Sequence, residues 1–178
     1  MNDESPKSVL FVDDDRYING AEIHELEFRG YRVTSVGSAK DCLRLIKTQV
    51  FDVAILDLMM PTDGLFQEFE SLGGLRTGMI LAHATKLISP DTHIIIYSAF
   101  RGDNVPEYVD REVRSTGWIT FVSKIEYRKL IDTVDELCRN QKTKSRTIIN
   151  LIDSLKLEPS FMGVGIDLKK LARVLMKK

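Results

Sequence analysis

Cysteine is scarce in this chain, and the little that is present has no metal-binding pattern. The two cysteines among 178 residues, Cys42 and Cys138, lie far apart, with neither a CxxC spacing nor a nearby pair of histidines. This spacing argues against a zinc site and against a disulfide framework, and it is typical of a reducing compartment. We therefore expect a cytoplasmic protein.

Long apolar runs are also absent from the sequence. No stretch approaches the roughly 18–20 apolar residues that a membrane-spanning helix needs, and the polar, acidic residues 1–7 do not resemble a signal peptide. The remaining composition is ordinary for a globular protein, with 43% hydrophobic and 29% charged residues. A chain of this length fits one domain, or one domain with a short appendage.

The net charge of −1 conceals an uneven distribution of charged residues. Residues 1–139 carry 16 Lys and Arg against 23 Asp and Glu, whereas residues 140–178 carry 9 against 3. We therefore predict an acidic domain over residues 1–140 and a basic extension over residues 141–178. The extension has apolar residues at helical spacing on both sides of Pro159, which predicts a helical hairpin.

Five short runs that predict strands, most of them apolar, alternate with segments of helical periodicity. The third run, Val53 to Leu56, is almost continuously apolar, as expected for a strand covered on both faces of a parallel sheet. The runs that predict strands cover residues 8–12, 31–36, 52–56, 93–97 and 118–122, and the helical patterns cover residues 16–29, 39–46, 75–87, 104–115 and 126–140. This alternation favours βαβ units and a doubly wound parallel sheet.

Polar side chains follow four of these strands, at the edge of the sheet where ligands of α/β proteins collect. They are three aspartates after the first strand and single residues after the third, fourth and fifth strands, namely Asp13, Asp14, Asp15, Asp57, Ser98 and Lys124. A nucleotide-binding edge would instead have glycines after the first strand. Carboxylates held close together repel one another, and a divalent cation relieves the repulsion. An all-oxygen set of ligands suits Mg²⁺ or Mn²⁺.

The same set of residues suits a phosphoryl group carried by Asp57. Lys124 supplies a compact positive charge with ammonium donors, and Ser98 supplies a hydroxyl donor. With Asp57 as the nucleophile, the cation, the ammonium and the hydroxyl would stabilise an acyl phosphate.

In these motifs the sequence resembles the receiver domain of two-component response regulators. The resemblance rests on four segments that occur in the family's order at the ends of the right strands, residues 9–15, 52–64, 95–99 and 121–124, and it covers roughly residues 7–140. It implies a flavodoxin-like, five-stranded sheet of strand order 2-1-3-4-5, followed by a C-terminal helical extension. It also implies a phosphoprotein that acts as a signalling switch rather than a metabolic enzyme.

The resemblance also implies how phosphate and metal are bound. Asp57 would be phosphorylated by a histidine kinase or a histidine phosphotransfer protein. Mg²⁺ would be bound by Asp13, Asp14, Asp57 and the backbone carbonyl of Met59. Asp15 is expected to cap the following helix rather than to bind the metal.

The remaining roles that the resemblance implies concern the switch itself. Ser98 and Lys124 would hold the phosphoryl oxygens. Phe121 would be the aromatic side chain whose rotamer follows the movement of Ser98.

The sequence departs from the family pattern beside the site. Ile125 follows Lys124 where the family usually has proline, so the bond between them is either trans or a strained cis bond that costs ~3–4 kcal/mol. Met59 and Phe100 stand two residues beyond the aspartate and the serine, where side chains of the family modulate attack by water on the phosphoryl group. Both are bulky and apolar, which predicts slow autodephosphorylation.

A further departure is the crossover before His93, which is longer than the family's by about a dozen residues. We place the extra length at residues 62–74, either as a tolerated surface insertion or as a lid or partner-docking loop. Gly73-Gly74 within this segment and Gly78 shortly after it suit a mobile loop.

The sequence of the basic extension does not identify a single partner. Its basic residues are interleaved with an apolar face and have no aromatic platform. We therefore favour packing on the body or a homodimer over docking of another protein, and we disfavour nucleic acid. A homodimer through the last receiver helices is a further option, and the downstream protein stays unknown.

Two other classes of protein share parts of the site. A haloacid-dehalogenase-type phosphatase also uses a strand-end Asp nucleophile with Mg²⁺, but it needs a second Asp two residues later, where this chain has Met59. A phosphorylation-independent, receiver-like interaction module would not need the complete set of acids, serine and lysine. It is the alternative to a phosphorylated switch.

Overall fold

The computed structural model describes residues 5–15, 19–62, 64–65, 76–140 and Leu171, and it confirms the predicted α/β class. The strands are β1 (Ser8–Val12), β2 (Arg32–Val36), β3 (Val53–Leu56), β4 (His93–Ser98) and β5 (Ile119–Ser123). The helices are α1 (Gly20–Phe28), α2 (Ala39–Thr48), α3 (Thr77–Ile88), α4 (Glu107–Thr116) and α5 (Tyr127–Asn140), with a 3₁₀ turn at Gly102–Asn104.

The five strands are parallel and lie in the order β2-β1-β3-β4-β5, which confirms the predicted sheet. β1 pairs with β2 on one side and with β3 on the other, so that Val12 lies opposite both Val36 and Leu56. The strand order reverses at β1, and ligands of such sheets bind in the crevice beyond the carboxyl ends at this switch point. Asp13 and Asp57 directly follow the two strands that border it.

Alternate residues of the central strands point into two hydrophobic cores, one on each face of the sheet. In β3, Ala54 and Leu56 belong to the core beneath α2, α3 and α4, whereas Val53 and Ile55 belong to the core beneath α1 and α5. All four side chains are fully buried. The continuous apolar run in the sequence therefore reflects a strand that is covered on both faces.

Short polar signals decide where several helices begin and end. As predicted, Ser38 caps α2: its Oγ accepts a hydrogen bond from the N–H of Asp41 at 3.0 Å. Gly30 follows the end of α1 with a φ of 88°, a left-handed conformation that glycine adopts without strain. The predicted start of α4 was wrong, because Pro106 is the N-cap of a helix that begins at Glu107 rather than a residue of its first turn.

Asp52 ties together the amino-terminal ends of β1 and β3. Its carboxylate accepts hydrogen bonds from the N–H and the Oγ of Ser8 at 2.8 and 2.9 Å, and it lies 3.0 Å from the Nζ of Lys7. Burial acts to raise the pKa of Asp52, but these donors outweigh burial and hold that pKa below its ordinary value. The ionised carboxylate of Asp52 therefore makes these contacts with Ser8 and Lys7.

Other expectations concern the thiols, the membrane and the added segments. Cys42 and Cys138 are buried and free, as expected. Among the helices of the described ranges, none is long and apolar enough to cross a membrane. The predicted hairpin at 141–178 lies outside the described residues apart from Leu171, and so does most of the insertion at 62–74.

Candidate functional site

The predicted site residues come together at the carboxyl edge of the sheet. Asp57 continues the β1–β3 ladder one residue beyond the strands, because its N–H donates to the carbonyl of Val12 at 2.8 Å. The N–H of Lys124 likewise donates to the carbonyl of Ser98 at 2.7 Å. Sheet-like hydrogen bonds therefore hold the backbone of the aspartate and of the lysine in place.

Three carboxylates at this edge lie close enough to share one cation. Oxygens of Asp13, Asp14 and Asp57 lie within 4.8 Å of one another. Asp13 and Asp57 are 2% and 6% exposed, whereas Asp14 is exposed to solvent. Burial raises the pKa of Asp57 to about 6; the Lys124 ammonium opposes this shift, and the Asp13 carboxylate adds to it. Negative charge on this pair of buried acids is costly until a cation offsets it.

Lys124 brings a positive charge into contact with both buried acids. Its Nζ lies 2.6 Å from Oδ2 of Asp13 and 3.5 Å from Oδ1 of Asp57. Burial acts to lower the pKa of Lys124, but its contacts with these two acids outweigh burial and raise it. The ammonium is therefore charged at neutral pH. The bond from Lys124 to Ile125 is trans, which decides between the two alternatives that the sequence left open.

Three buried polar atoms at this edge have no hydrogen-bond partner among the described residues. They are Oδ1 of Asp57, Oγ of Ser98, which is the fully buried last residue of β4, and Oγ of Ser123, which lies opposite Ser98 in β5. Buried polar atoms are seldom left unpaired unless they serve a ligand, an ion or a water. An unpaired carboxylate oxygen in an all-oxygen set fits a hard divalent cation such as Mg²⁺ or Mn²⁺. An unpaired hydroxyl fits an anionic oxygen.

Asp15 does not cap α1, so this prediction was wrong. Its N–H donates to Oδ1 of Asp13 at 2.9 Å, and its carbonyl accepts a hydrogen bond from Nδ2 of Asn19 at 2.9 Å. Asn19 is the N-cap of α1, which begins five residues beyond the acid. The backbone of Asp15 is thus bound to the side chain of Asp13, ahead of the first residue of the helix. The side chain of Asp15 is exposed and lies outside the group of three acids.

Three further predicted residues lie on the face of the sheet that carries α2, α3 and α4. Phe121 is half-buried in β5, beside Val109 and Val113 of α4. Met59 and Phe100 are partly buried against the same core. The structure therefore gathers the acids, the serine and the lysine at one edge, and it places Phe121 against α4 rather than among them.

Gly78 was not predicted as a site residue, although it packs directly behind Asp57. It lies in the first turn of α3, where its N–H donates to the carbonyl of Leu58 at 3.0 Å. A Cβ built on Gly78 would lie 2.2 Å from the carbonyl oxygen of Asp57. The expectation that Gly78 belongs to a mobile loop was therefore wrong, because only glycine lets the helix approach this backbone.

The first turn of α3 also holds the loop that follows Asp57. Oγ1 of Thr77 donates to the carbonyl of Met60 at 2.7 Å, and Thr77 is fully buried. An apolar segment that begins with threonine and glycine shortly after the phosphoacceptor motif is the only sequence signal for this contact. That signal does not predict that the hydroxyl of Thr77 binds the carbonyl of Met60.

Tyr97 is a second residue near the site whose contacts the sequence did not reveal. It is fully buried beside Ser98, and its hydroxyl donates toward Oε1 of Glu22 in α1 at 3.0 Å and toward the carbonyl of Lys124 at 3.3 Å. The hydroxyl therefore links α1 to the loop that carries the lysine. The bond from Lys124 to Ile125 in this loop is trans, and Ile125 stands where the family usually has proline. The hydrogen bond from Tyr97 is one of the contacts that hold this loop.

Residues 9–135 match the response regulator receiver domain family. The chain belongs to this family. It is a receiver domain of a two-component response regulator, and Asp13, Asp14 and Asp57 form its acidic pocket. Receiver domains of this kind are in general phosphoacceptors rather than true enzymes.

A curated relative is similar to part of the chain. The response regulator MprA of Mycolicibacterium vanbaalenii is 39% identical over 61 residues, which is 34% of this chain and 26% of that protein. The matched part is therefore only about a quarter of that relative's length.

Solved receiver structures share the fold over most of the chain. A CheY-like receiver domain protein from Methanospirillum hungatei aligns with a TM-score of 0.63 at 22% identity, over 78% of this chain and 98% of that chain. The response regulator TrrA of Thermotoga maritima, in complex with Mg²⁺–BeF, aligns with a TM-score of 0.56 at 23% identity, over 74% and 98%. At these identities the likeness shows the fold alone.

Proposed function

We propose that Asp57 accepts a phosphoryl group from a histidine kinase or a histidine phosphotransfer protein, and that phosphorylation switches the chain's interactions with other proteins. The observation that carries this proposal is Oδ1 of buried Asp57, which accepts no hydrogen bond among the described residues, with the ammonium of Lys124 3.5 Å away and two further acids within reach of one cation. The complex of the Thermotoga maritima relative with Mg²⁺–BeF supports the same chemistry.

Asp13, Asp14, Asp57 and the backbone carbonyl of Met59 would hold Mg²⁺ or Mn²⁺. The donor set is all oxygen, and the acids lie within 4.8 Å of one another, which suits a hard cation. When bound, the cation supplies positive charge that offsets the phosphoryl oxygens. Asp15 is not part of this set, because its exposed side chain lies outside the group.

In the transfer step, a carboxylate oxygen of Asp57 attacks phosphorus as the bond from phosphorus to the donor imidazole breaks. The imidazole leaves with the electron pair of the broken bond, and the phosphoryl group remains on Asp57 as an acyl phosphate. Lys124 is placed to follow the new charge, since its ammonium already contacts Asp13 at 2.6 Å and lies near Asp57. Ser98 would donate its unpaired hydroxyl to a phosphoryl oxygen.

The switch would run from Ser98 to Phe121. Movement of the Ser98 hydroxyl toward the phosphoryl group leaves space at the end of β4, and Phe121 in the adjacent strand is half-buried against α4. A change in the Phe121 rotamer would therefore alter the surface that α4 and β5 present to partners. Residues 1–140 would form this receiver, acting in the cytoplasm, and residues 141–178 its extension.

The phosphorylated form should be long-lived. Met59 and Phe100 are partly buried against the core and carry no group that could orient a water toward phosphorus. Autodephosphorylation should therefore be slow, and a half-life of only seconds for the isolated phosphoprotein would contradict this.

The test is phosphorylation of the full chain by a small acyl phosphate donor with Mg²⁺, followed by intact mass. The wild type should gain the mass of one phosphoryl group, and the gain should disappear with a chelator or in Asp57→Asn. Asp15→Asn is the matched control, because it removes an acid from the same loop but outside the cation set. No gain with the donor or with any kinase would favour the phosphorylation-independent interaction module.

A further inference from the structure

The ammonium of Lys124 enters the acidic pocket from a turn rather than from a strand. β5 ends at Ser123, α5 begins at Tyr127, and Ile125 between them is 63% exposed. A lysine side chain is a flexible four-carbon stem, so an ammonium on a loose turn would sample many positions. The place of the charge therefore depends on what holds the backbone of Lys124.

Two neighbouring residues of β4 hold both polar groups of this backbone. The N–H of Lys124 donates to the carbonyl of Ser98 at 2.7 Å, and the carbonyl of Lys124 accepts a hydrogen bond from the hydroxyl of Tyr97 at 3.3 Å. The first contact joins two main chains and forms with any residue in these places. The second contact needs a hydroxyl at position 97, so it is the one that a substitution can remove.

The Tyr97 side chain is itself held firmly. Its ring is fully buried and meets the ring of Phe11 in β1 edge-on, with the ring centroids 6.1 Å apart. On the side of α1, its hydroxyl donates toward Oε1 of Glu22 at 3.0 Å. Burial and the carboxylate of Glu22 raise the pKa of Tyr97 well above its ordinary value, so the hydroxyl keeps its proton at neutral pH. It is therefore a fixed donor behind the lysine.

Glu22 is an unusual residue to find beneath this tyrosine. An acid in the first turn of a helix normally reaches back to the N-cap or faces solvent. Glu22 is only 8% exposed, and its Oε2 has no hydrogen-bond partner among the described residues. Burying a carboxylate is costly unless it is paired, and the positive end of the α1 dipole offsets only part of that cost. The described partner of this acid is the Tyr97 hydroxyl, which indicates a role beyond packing.

We propose that Tyr97 is a positioning residue for phosphoryl transfer: its hydroxyl, held from the other side by Glu22, fixes the carbonyl of Lys124 and thereby the turn that carries the ammonium. The ammonium then lies 2.6 Å from Asp13 and 3.5 Å from Asp57. Tyr97 touches no reacting atom and acts through Lys124. This proposal rests on the proposed function, since it concerns the rate at which Asp57 accepts the phosphoryl group.

The first test compares the phosphorylation rates of full-length Tyr97→Phe and wild type with a small acyl phosphate donor and Mg²⁺, by intact mass, at a temperature where circular dichroism shows both proteins folded. The rate should fall on the order of 10–100-fold, because a displacement of about 1 Å costs up to about 100-fold. Tyr31→Phe is the matched control. Its hydroxyl also donates to a carboxylate, Oδ1 of Asp135 at 2.6 Å, but Tyr31 precedes β2 at the amino-terminal end of the sheet.

Tyr31→Phe should be phosphorylated as fast as the wild type. A wild-type rate in Tyr97→Phe, or equal slowing in both variants, would overturn the proposal. A wild type that gains no phosphoryl group would instead overturn the proposed function, and this proposal would fall with it. The two failures are therefore distinguishable.

The second test asks whether Tyr97 acts through Lys124. The Tyr97→Phe change is made in a Lys124→Ala background, with the donor concentration raised until phosphorylation of Lys124→Ala is measurable. Without the ammonium there is nothing to position, so the second change should slow the reaction no further. Slowing by the same factor in both backgrounds would overturn the positioning role in favour of a purely structural one.

A direct readout of the hydrogen bond does not depend on phosphorylation. The carbonyl ¹³C resonance of Lys124 should shift in Tyr97→Phe, because the carbonyl loses its donor, and it should stay in place in Tyr31→Phe. An unchanged resonance in Tyr97→Phe would overturn the proposal.

Discussion

Replacing Gly78 by alanine tests whether the close approach of α3 to the phosphoacceptor backbone matters. The new Cβ would lie 2.2 Å from the carbonyl oxygen of Asp57 and 2.7 Å from Cα of Leu58. Ordinary van der Waals contacts of a Cβ lie at 3.4–4 Å. Both obstructing groups are backbone, so no rotamer change relieves the clash. Either α3 or the loop after β3 must move by more than about 1 Å.

The expected loss of stability follows from two opposing effects. Overpacking of a tight site costs roughly 1–3 kcal/mol, and this clash lies at the upper end because main chain meets main chain. Alanine recovers up to about 1 kcal/mol through its higher helix propensity. The free energy of unfolding should therefore fall by about 2 kcal/mol, and the phosphorylation rate should fall as well because the carbonyl that moves belongs to Asp57.

The assay is urea unfolding followed by circular dichroism. With a slope of about 2 kcal/mol/M, the midpoint of Gly78→Ala should fall by about 1 M. Gly20→Ala is the matched control, because Gly20 is also helical and a Cβ added there would meet no atom within 4 Å. Its midpoint should stay or rise slightly. The argument fails if Gly78→Ala is as stable as the wild type while the control behaves as expected.

Three further substitutions test other parts of the structure. Asp57→Asn should raise the free energy of unfolding at pH 7 without Mg²⁺ by up to about 3 kcal/mol, since burial raises the pKa of Asp57 to about 6 and its charge is costly above that pH. The gain in stability should vanish below pH 3.8, where the carboxyl of the wild type is protonated in both the folded and the unfolded state. Thermal unfolding of both proteins across this pH range tests this, and a gain that does not change with pH would contradict it. Asp52→Asn should lower stability at pH 7 by about 1.5–3 kcal/mol, because the charged carboxylate binds Ser8 and Lys7. Since folding lowers the pKa of Asp52, this contribution is complete above the ordinary aspartate pKa and is lost as the pH falls through the lower folded value, so urea midpoints of the two proteins should converge in acid. Tyr97→Phe should cost about 1–3 kcal/mol by leaving a buried acceptor unpaired, and an unchanged melting temperature would contradict this role.

Much of the fold follows from local patterns in the sequence. β1, β3 and β4 are built on short apolar runs, and the β3 run is continuous because that strand is buried on both faces. Ser38 and Gly30 mark helix ends through their own local chemistry. The first residues of the helices were harder to predict. Helices α1 and α4 begin later than expected, since the N–H of Asp15 binds the carboxylate of Asp13 and Pro106 restricts the backbone of the residue before it.

The acids, the serine and the lysine were also within reach of the sequence, because parallel strands carry their last residues to one edge. By itself the sequence determined which functional groups lie at that edge, since the strands and the residue that follows each of them can be read from local sequence patterns. Tertiary structure alone decided that Gly78 touches the backbone of Asp57, that Tyr97 reaches the carbonyl of Lys124, and that Leu171 is buried in the core on the α2, α3 and α4 face of the sheet. Such contacts join residues far apart in the chain, and their distances depend on how closely packed elements approach, which no local pattern encodes.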